Sequence, residues 1–448
     1  MSTPLTNRKI NLLQATSINM IDMVGIGPFV VMPFVVSQFN NGLFLWAWIF
    51  GAITAFVDAM IWSELGAKYP LAGGTYNFHR IAYGEKYGKM MSFLFVWQTS
   101  IQAPLVVASG AIGFAQYLTY IIQLTPIQEK IISGSLVILV FLLLYRKIET
   151  IGKISVAMGS IVVLTILWII ISGLMNQQHP VQLIPSGETS FFTYAFWAAV
   201  GHGSVKTVYS YLGYYNVCHL GGEIRNPDQN IPRSIFISIF CIAVLYLLMN
   251  ISIVGVIPWQ EAMKSDFIVS TFIEKLYGAR AGKIATVLVL WIAFASLFAV
   301  VLGYSRVPYA AAADGHFFPA FAKLHPTKGF PYVSLLFLGG IGFVFSLLFR
   351  LGDVISAILA MRILVQFIGQ SVGVVLLHKK IPANPSYFKM WLYPLPVILS
   401  IWIWLFVFYS TGLFALLGIA LTLVGVLVYF ATRNLWKPGE QRGLGTAD

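Results

Sequence analysis

Residues 22 to 33 read D-M-V-G-I-G-P-F-V-V-M-P, an aspartate, two glycines and two prolines inside an otherwise apolar run. In a helix interior glycine costs roughly 1 kcal/mol and proline about 3. Such a run is therefore read as a helix opened on purpose. Opening a helix frees N–H and C=O groups that an intact one consumes, and in a membrane such groups are tolerated where they line a polar cavity. A half-helix beginning near Gly27 would turn its positive end toward that cavity, a setting suited to a carboxylate. The freed carbonyls suit a cation or an ammonium group. Gly25 and Gly27 let a ligand approach the backbone closely. A second interruption follows at Y-S-Y-L-G-Y-Y, Tyr209 to Tyr215, with Gly201 and Gly203 before it. Together these residues suggest non-covalent capture of a zwitterion. No nucleophile–base pair, H-E-x-x-H or phosphate-binding glycine loop accompanies them. The chain is read as a non-enzyme with no cofactor and no metal.

The elements that must position these residues are long and apolar. Of 448 residues, 58% are hydrophobic and 10% charged, where a soluble domain has about a quarter charged. Twelve apolar runs are expected to span a membrane as helices, at about 12–37, 43–66, 88–122, 127–145, 151–175, 190–220, 232–257, 284–306, 331–350, 353–378, 391–410 and 412–432. Each is near the ~20 residues a bilayer requires. The fold class is an all-α, multi-pass membrane protein. No cleavable signal peptide is expected, because the first run lacks a small-residue cleavage site.

The net charge of +12 does not indicate nucleic acid. With the N-terminus inside, most of the 28 Lys and Arg fall on cytoplasmic segments, among them Arg8, Lys9, Lys68, Arg80, Arg146, Arg225 and Lys328. That bias places both termini in the cytoplasm. Cys218 and Cys241 are read as packing residues.

The two interruptions fall in runs one and six, corresponding places in two halves of five spans. This is the sequence mark of a transporter built from inverted repeats. The expected divisions are a tail over 1–11, repeats over 12–175 and 190–378, two added helices over 391–432, and a tail over 433–448.

At these residues the chain resembles the amino acid–polyamine–organocation transporters, in particular their amino acid exchanger branch. Gly25-Ile26-Gly27-Pro28-Phe29 is similar to that family's G-S-G-I-F. Glu64-Leu65-Gly66, Pro70, Gly73, Gly74 and Tyr76 match its E-L-G-x-x-x-P-x-x-G-G-x-Y. Trp97, Pro104, Ala108 and Phe114 resemble its third helix. Glu223, Pro227, Pro232 and Arg233 follow its E-x-x-x-P-x-x-x-x-P-R, and Ser305-Arg306, Asp314-Gly315 and Tyr393-Pro394-Leu395-Pro396 are later matches. The resemblance implies the leucine-transporter-type 5+5 inverted repeat with discontinuous helices one and six, a site between them, and alternating access. By position it implies that the substrate carboxylate meets amides of Gly25, Ile26, Gly27, Pro28 and Phe29. The α-ammonium would meet carbonyls near Tyr209, Ser210, Tyr211 and Gly213, with Tyr209 as the gate. Lys153 would take the place of the sodium ion used by related carriers, an ammonium offering three donors to freed carbonyls. Its other reading is a lysine snorkelling at the cytoplasmic face.

Pro28 departs from the pattern by removing a donor, although proline suits the first turn of a half-helix. Charges within spans are further departures, each costing about 2.5–3.5 kcal/mol on insertion scales. Asp22 is expected to pair with Lys153 or to help hold a cation. Lys206, three residues before Tyr209, is expected to replace the contact that Pro28 removes. Asp58 and Arg362 are expected to form an ion pair, with gating or proton movement as the alternative. Glu64 reads as a cytoplasmic anchor rather than a proton carrier, and His202 and His219 as packing residues.

The expected function is sodium-independent amino acid transport across a plasma or inner membrane, by exchange or with protons. The alternatives are a polyamine, organic-cation or organic-anion carrier, and a receptor that binds an amino acid without moving it. The partners are the small-molecule substrate, the lipid bilayer and possible coupling protons, with no nucleic acid.

Overall fold

The computed structural model describes residues 8–39, 42–181, 183–184, 191–349, 351–380 and 387–432. The predicted tails therefore lie outside the described residues, apart from residues 8–11. The first apolar run divides into α1 (Leu12–Met23) and α2 (Gly27–Ser37), bent by 45°. Next come α3 (Leu45–Lys68), the short α4 (Thr75–Ala82), α5 (Gly84–Leu118), α6 (Pro126–Leu144) and α7 (Ile148–Met175). The second half opens with α8 (Tyr194–Tyr211), α9 (Asn216–His219) and α10 (Pro227–Val254). Two short helices, α11 (Trp259–Ala262) and α12 (Ile268–Tyr277), precede α13 (Ala279–Tyr304) and α14 (Arg306–Ala313). The chain continues through α15 (Tyr332–Leu348), α16 (Leu351–Arg362), a π-helical turn (Ile363–Ile368), α17 (Gly369–Lys380), α18 (Leu395–Ser410) and α19 (Phe414–Thr432).

Local chemistry sets several of these boundaries. Asn11 and Gln14 form a reciprocal cap at the start of α1, and Thr125 and Gln128 do the same for α6, each satisfying two orphan donors. Among the described residues, eight helices are long and apolar enough to cross a bilayer, and the bent α1–α2 pair makes a ninth. α15 and α18 are apolar but shorter. Large apolar side chains face outward on many of them, including Ile138, Leu164, Ile171, Trp402, Leu416 and Leu427. A surface this apolar, on helices that satisfy their own backbone, faces lipid. The protein is a multi-pass membrane protein.

Inside, α1 packs on α7, α10 and α13, while α3 packs on α8 and α10. α5 runs behind them against α6, α13 and α15. This arrangement holds both interrupted helices at the centre.

Helix ends at one side of the bundle are tied by polar contacts that the family-like motifs supply. Glu223 and Arg306 form a buried ion pair, with Nη2 3.0 Å from Oε1 and 3.2 Å from Oε2. Arg306 Nη1 also donates to the Leu302 carbonyl and to Ser305 Oγ. Tyr76 donates to Asp314 at 3.0 Å, and Arg80 pairs with the same carboxylate. Glu64 accepts from the Met390 N–H at 2.9 Å and lies 2.5 Å from His378 Nε2, so it joins α3 to α17. Residues 9 and 10, expected as tail, are structured. Their N–H groups donate to the Glu223 carbonyl, and the Arg225 N–H donates back to Ile10.

α4 is fastened to the π turn. His79 Nε2 donates to the Val365 carbonyl at 2.9 Å, Thr75 to Gln370 at 2.7 Å, and Tyr83 to the Gly369 carbonyl at 2.6 Å. Burial holds the His79 imidazole down at about 4, so it is neutral at physiological pH and its single proton is the one on Nε2.

Removing one partner of a buried ion pair costs about 3–5 kcal/mol, whereas replacing both by apolar residues is often neutral. R306M or E223M alone is expected to lower the unfolding temperature of the detergent-solubilised protein strongly. The double variant is expected to recover most of the loss. Additive losses in the double variant would show that the pair is not what holds these ends together.

Candidate functional site

Both breaks need residues that tolerate unusual backbone. Between α1 and α2, Val24 donates to the Met20 carbonyl at 2.9 Å and Gly25 to Met23 at 3.1 Å. α2 then starts at Gly27, with Pro28 in its first turn, where a missing N–H costs little. In the second break Gly213 has φ +120°, a conformation that glycine adopts freely and other residues do not. A Cβ on Gly213 would stand 2.8 Å from the Asp22 carbonyl carbon and from Asp22 Cγ. The two breaks are thus in direct contact.

Between them lies a cavity of about 60 Å³. The first break contributes Asp22, Gly25, Ile26, Gly27 and Pro28 to its wall, and the second contributes Tyr209, Ser210, Gly213 and Tyr215. α5 adds Val106 and Gly110, α13 adds Ser296, Val300 and Tyr304, and α16 adds Arg362. Tyr209 covers one side. Its ring lies 3.5 Å from where a Gly27 side chain would begin, and its hydroxyl is 3.1 Å from Ser109 Oγ on α5. The freed carbonyls are partly satisfied: the Tyr246 hydroxyl donates to Met23 at 2.9 Å and to Ser210 at 3.2 Å, and Ser296 Oγ donates to Asp22 at 3.4 Å.

Most of the expected substrate-contacting residues therefore line one cavity. Phe29 and Tyr211 do not. Both are fully buried, and Tyr211 packs edge-on against Trp48 and Tyr246. Lys206 lies in a separate, wider crevice of about 780 Å³, where its Nζ is 3.0 Å from Ser356 Oγ. It does not reach the Pro28 side of the cavity. Lys153 is exposed on α7, and no ion pair between it and Asp22 occurs among the described residues. Asp22 instead accepts from Asn216 Nδ2 at 2.7 Å.

Asp58 and Arg362 do not pair either. Asp58 accepts from Tyr214 at 2.5 Å, Trp62 Nε1 at 2.7 Å and Trp404 Nε1 at 3.2 Å, which fixes the second break to α3 and α18. Three good donors already satisfy that carboxylate, so it has no need of a guanidinium. Arg362 donates through Nε to Gln366 at 3.0 Å and through Nη2 to the hydroxyls of Tyr215 and Tyr304. His219 is buried among Trp62, Phe95, Tyr215 and Tyr304.

A model of the family described as amino acid permease matches residues 10–435. The chain belongs to the amino acid permease family. The permease is 25% identical over 450 residues to the serine/threonine exchanger SteT of Bacillus subtilis (strain 168), covering 95% of this chain and 97% of the relative. It is 26% identical over 442 residues to the cystine/glutamate transporter of Homo sapiens, covering 94% and 85%. It is also 26% identical over 328 residues to the uncharacterized amino acid permease YecA of Bacillus subtilis (strain 168), covering 73% and 74%. Members of this kind are transporters, not enzymes.

Sequence reasoning missed Asn216, Ser296 and Tyr304. The Asn216 N–H donates to the Gly213 carbonyl, and no sequence signal marks the reach of its side chain to Asp22. Ala293, Leu297, Val300 and Tyr304 all line the cavity from α13 at helical spacing, a stripe indistinguishable from core packing in the permease sequence alone.

G213A would force an alanine into a strained backbone conformation and into Asp22. Such strain costs of order 1–3 kcal/mol, and amino acid uptake by the permease is expected to fall at least tenfold. G27A meets only ordinary contacts, the nearest at 3.4 Å, and is expected to lose less. Equal uptake by G213A and wild type in proteoliposomes would separate the breaks from the site.

Proposed function

We propose that this permease is a secondary active transporter that moves amino acids across the plasma membrane by alternating access, without sodium, by exchange or proton coupling. The observation that carries the reading is the cavity walled by both helix breaks and covered by Tyr209. The relatives' printed names, a serine/threonine exchanger and a cystine/glutamate transporter, point to amino acid exchange as the nearest case. The substrate α-carboxylate would meet the N–H groups of Ile26 and Gly27 at the start of α2, which have no backbone acceptor among the described residues, whereas the Phe29 and Val30 N–H groups donate to the Ile26 carbonyl. Its ammonium would meet Asp22 and the carbonyls beside it. Tyr209 is the proposed gate; its release from Ser109 would accompany opening toward the wide crevice that holds Lys206. A polycation carrier is the weaker reading, because a guanidinium stands in the cavity wall.

Sodium independence was assigned to Lys153 by position. Since Asp22 is held by Asn216 in this conformation, we give Asn216 that supporting part. A hydrogen bond to a charged group contributes about 1.5–3 kcal/mol, so N216A is expected to slow exchange about tenfold or more, while K153A stays within about twofold. The measurement is counterflow in proteoliposomes loaded with each common amino acid, with and without sodium, at pH 5.5 and 7.5. Uptake that requires sodium would overturn the coupling assignment. A large loss in K153A with none in N216A would return the role to Lys153. No counterflow of any amino acid would overturn the transport reading.

A further inference from the structure

We propose that the permease selects an amino acid carrying a second carboxylate on a short side chain, and that the Arg362 guanidinium is the specificity-determining group that binds it. The inference rests on the transport reading above and names the substrate class for the same cavity.

Arg362 is 2% exposed and lies in the cavity wall. A buried guanidinium ordinarily has a carboxylate against it, because desolvating the charge costs several kcal/mol. Here the acceptors on Nε and Nη2 are the Gln366 amide and the Tyr215 and Tyr304 hydroxyls, all uncharged. Nη1 makes no hydrogen bond among the described residues, and none of the ion pairs among them includes Arg362. One carboxylate shares the cavity, that of Asp22, and it already accepts from Asn216. Gln366, Tyr215 and Tyr304 orient the guanidinium through Nε and Nη2, and Nη1 keeps its two N–H groups for a charge-assisted bond to a carboxylate.

The order of charges around the wall fits one ligand class. The Ile26 and Gly27 N–H groups at the start of α2 are open to one carboxylate, Asp22 offers a negative charge to an ammonium, and Arg362 offers a second positive group. A neutral amino acid uses the first two and leaves the third unmatched. An amino acid with a side-chain carboxylate uses all three. Size sets a further limit. With about 10–15 Å³ of such volume per water, a cavity of about 60 Å³ corresponds to roughly four to six waters. That suits a side chain of aspartate length and excludes bulky ones in this conformation.

The test compares aspartate with asparagine, which have nearly the same shape and differ in the charge that Arg362 would read. Full-length protein in proteoliposomes is loaded with unlabelled aspartate, and uptake of labelled aspartate is competed with external aspartate or asparagine. Aspartate is expected to compete at a concentration at least about tenfold lower than asparagine, as a site built around a polar partner discriminates against its absence. R362Q is expected to abolish that ratio while asparagine still competes, and R362K to retain part of it. If wild type exchanges neutral amino acids and aspartate competes no better than asparagine, the inference falls and the transport reading stands. Should R362Q fail to fold, thermal unfolding of solubilised wild type decides. A larger upward shift with aspartate than with asparagine supports the assignment, and equal shifts overturn it. If aspartate stabilises the protein but no amino acid undergoes counterflow, the binding assignment survives and transport does not.

Discussion

A backbone opened at the middle of an apolar bundle has to find its hydrogen bonds inside the protein, since lipid offers none. The rest of this structure is arranged around that requirement. Tyr246 reaches the carbonyls of both breaks, one hydroxyl bridging Met23 and Ser210. Asn19 accepts from the N–H of Val217, and Asn216 donates to Asp22 and to the Ala299 carbonyl. Each break therefore supplies groups that satisfy the other. Gly213, pressed against Asp22, makes the exchange short enough to work. The groups left over are those that face the cavity, so the demand that creates the site also selects which of its atoms remain to bind.

The surrounding polar residues divide by depth. At mid-bundle, Asp58 gathers Trp62, Tyr214 and Trp404, and Trp62 stacks on Tyr215 at 4.5 Å. These contacts hold the second break to α3 and α18. Toward one end of the bundle, Glu223–Arg306 and Glu64–His378 tie helices at their ends. Charge in the middle of the bundle positions the chain locally, whereas charge at this end joins one part of the bundle to another.

Much of this was legible in the sequence. Apolar length gave a multi-pass helical protein, and the cost of glycine and proline in a helix located both breaks. Glu64, Tyr76, Glu223, Arg306 and Asp314 were visible as motif residues, although only the fold shows that Glu223 bonds Arg306, Tyr76 bonds Asp314 and Glu64 bonds His378 across long stretches of chain. The Asp58–Arg362 pairing was wrong because depth in the membrane does not specify a neighbour. Each residue found neutral partners on its own side, and in a bundle this rich in Tyr and Trp such partners are at hand. The wall from α13 was illegible for a related reason, since a helix that lines a cavity and one that fills a core share the same periodicity. The length and composition of the described helices give eight or nine spans; the shorter α15 and α18 lie below that measure.

The π turn after Arg362 has its own consequence. An i→i+5 turn accommodates one residue more than an α-helix covering the same distance. Arg362 above the turn and His378 below it are thereby set in phase with two different surroundings, the cavity on one side and Glu64 on the other. Were the turn rewound as ordinary helix, everything beyond it would rotate by about 100°, and one of the two residues would leave its partners. His79 occupies the Val365 carbonyl within the turn, so the short α4 is bonded to the place where this helix changes phase. The helix is less a rod than a jointed shaft, with α4 fastened at the joint.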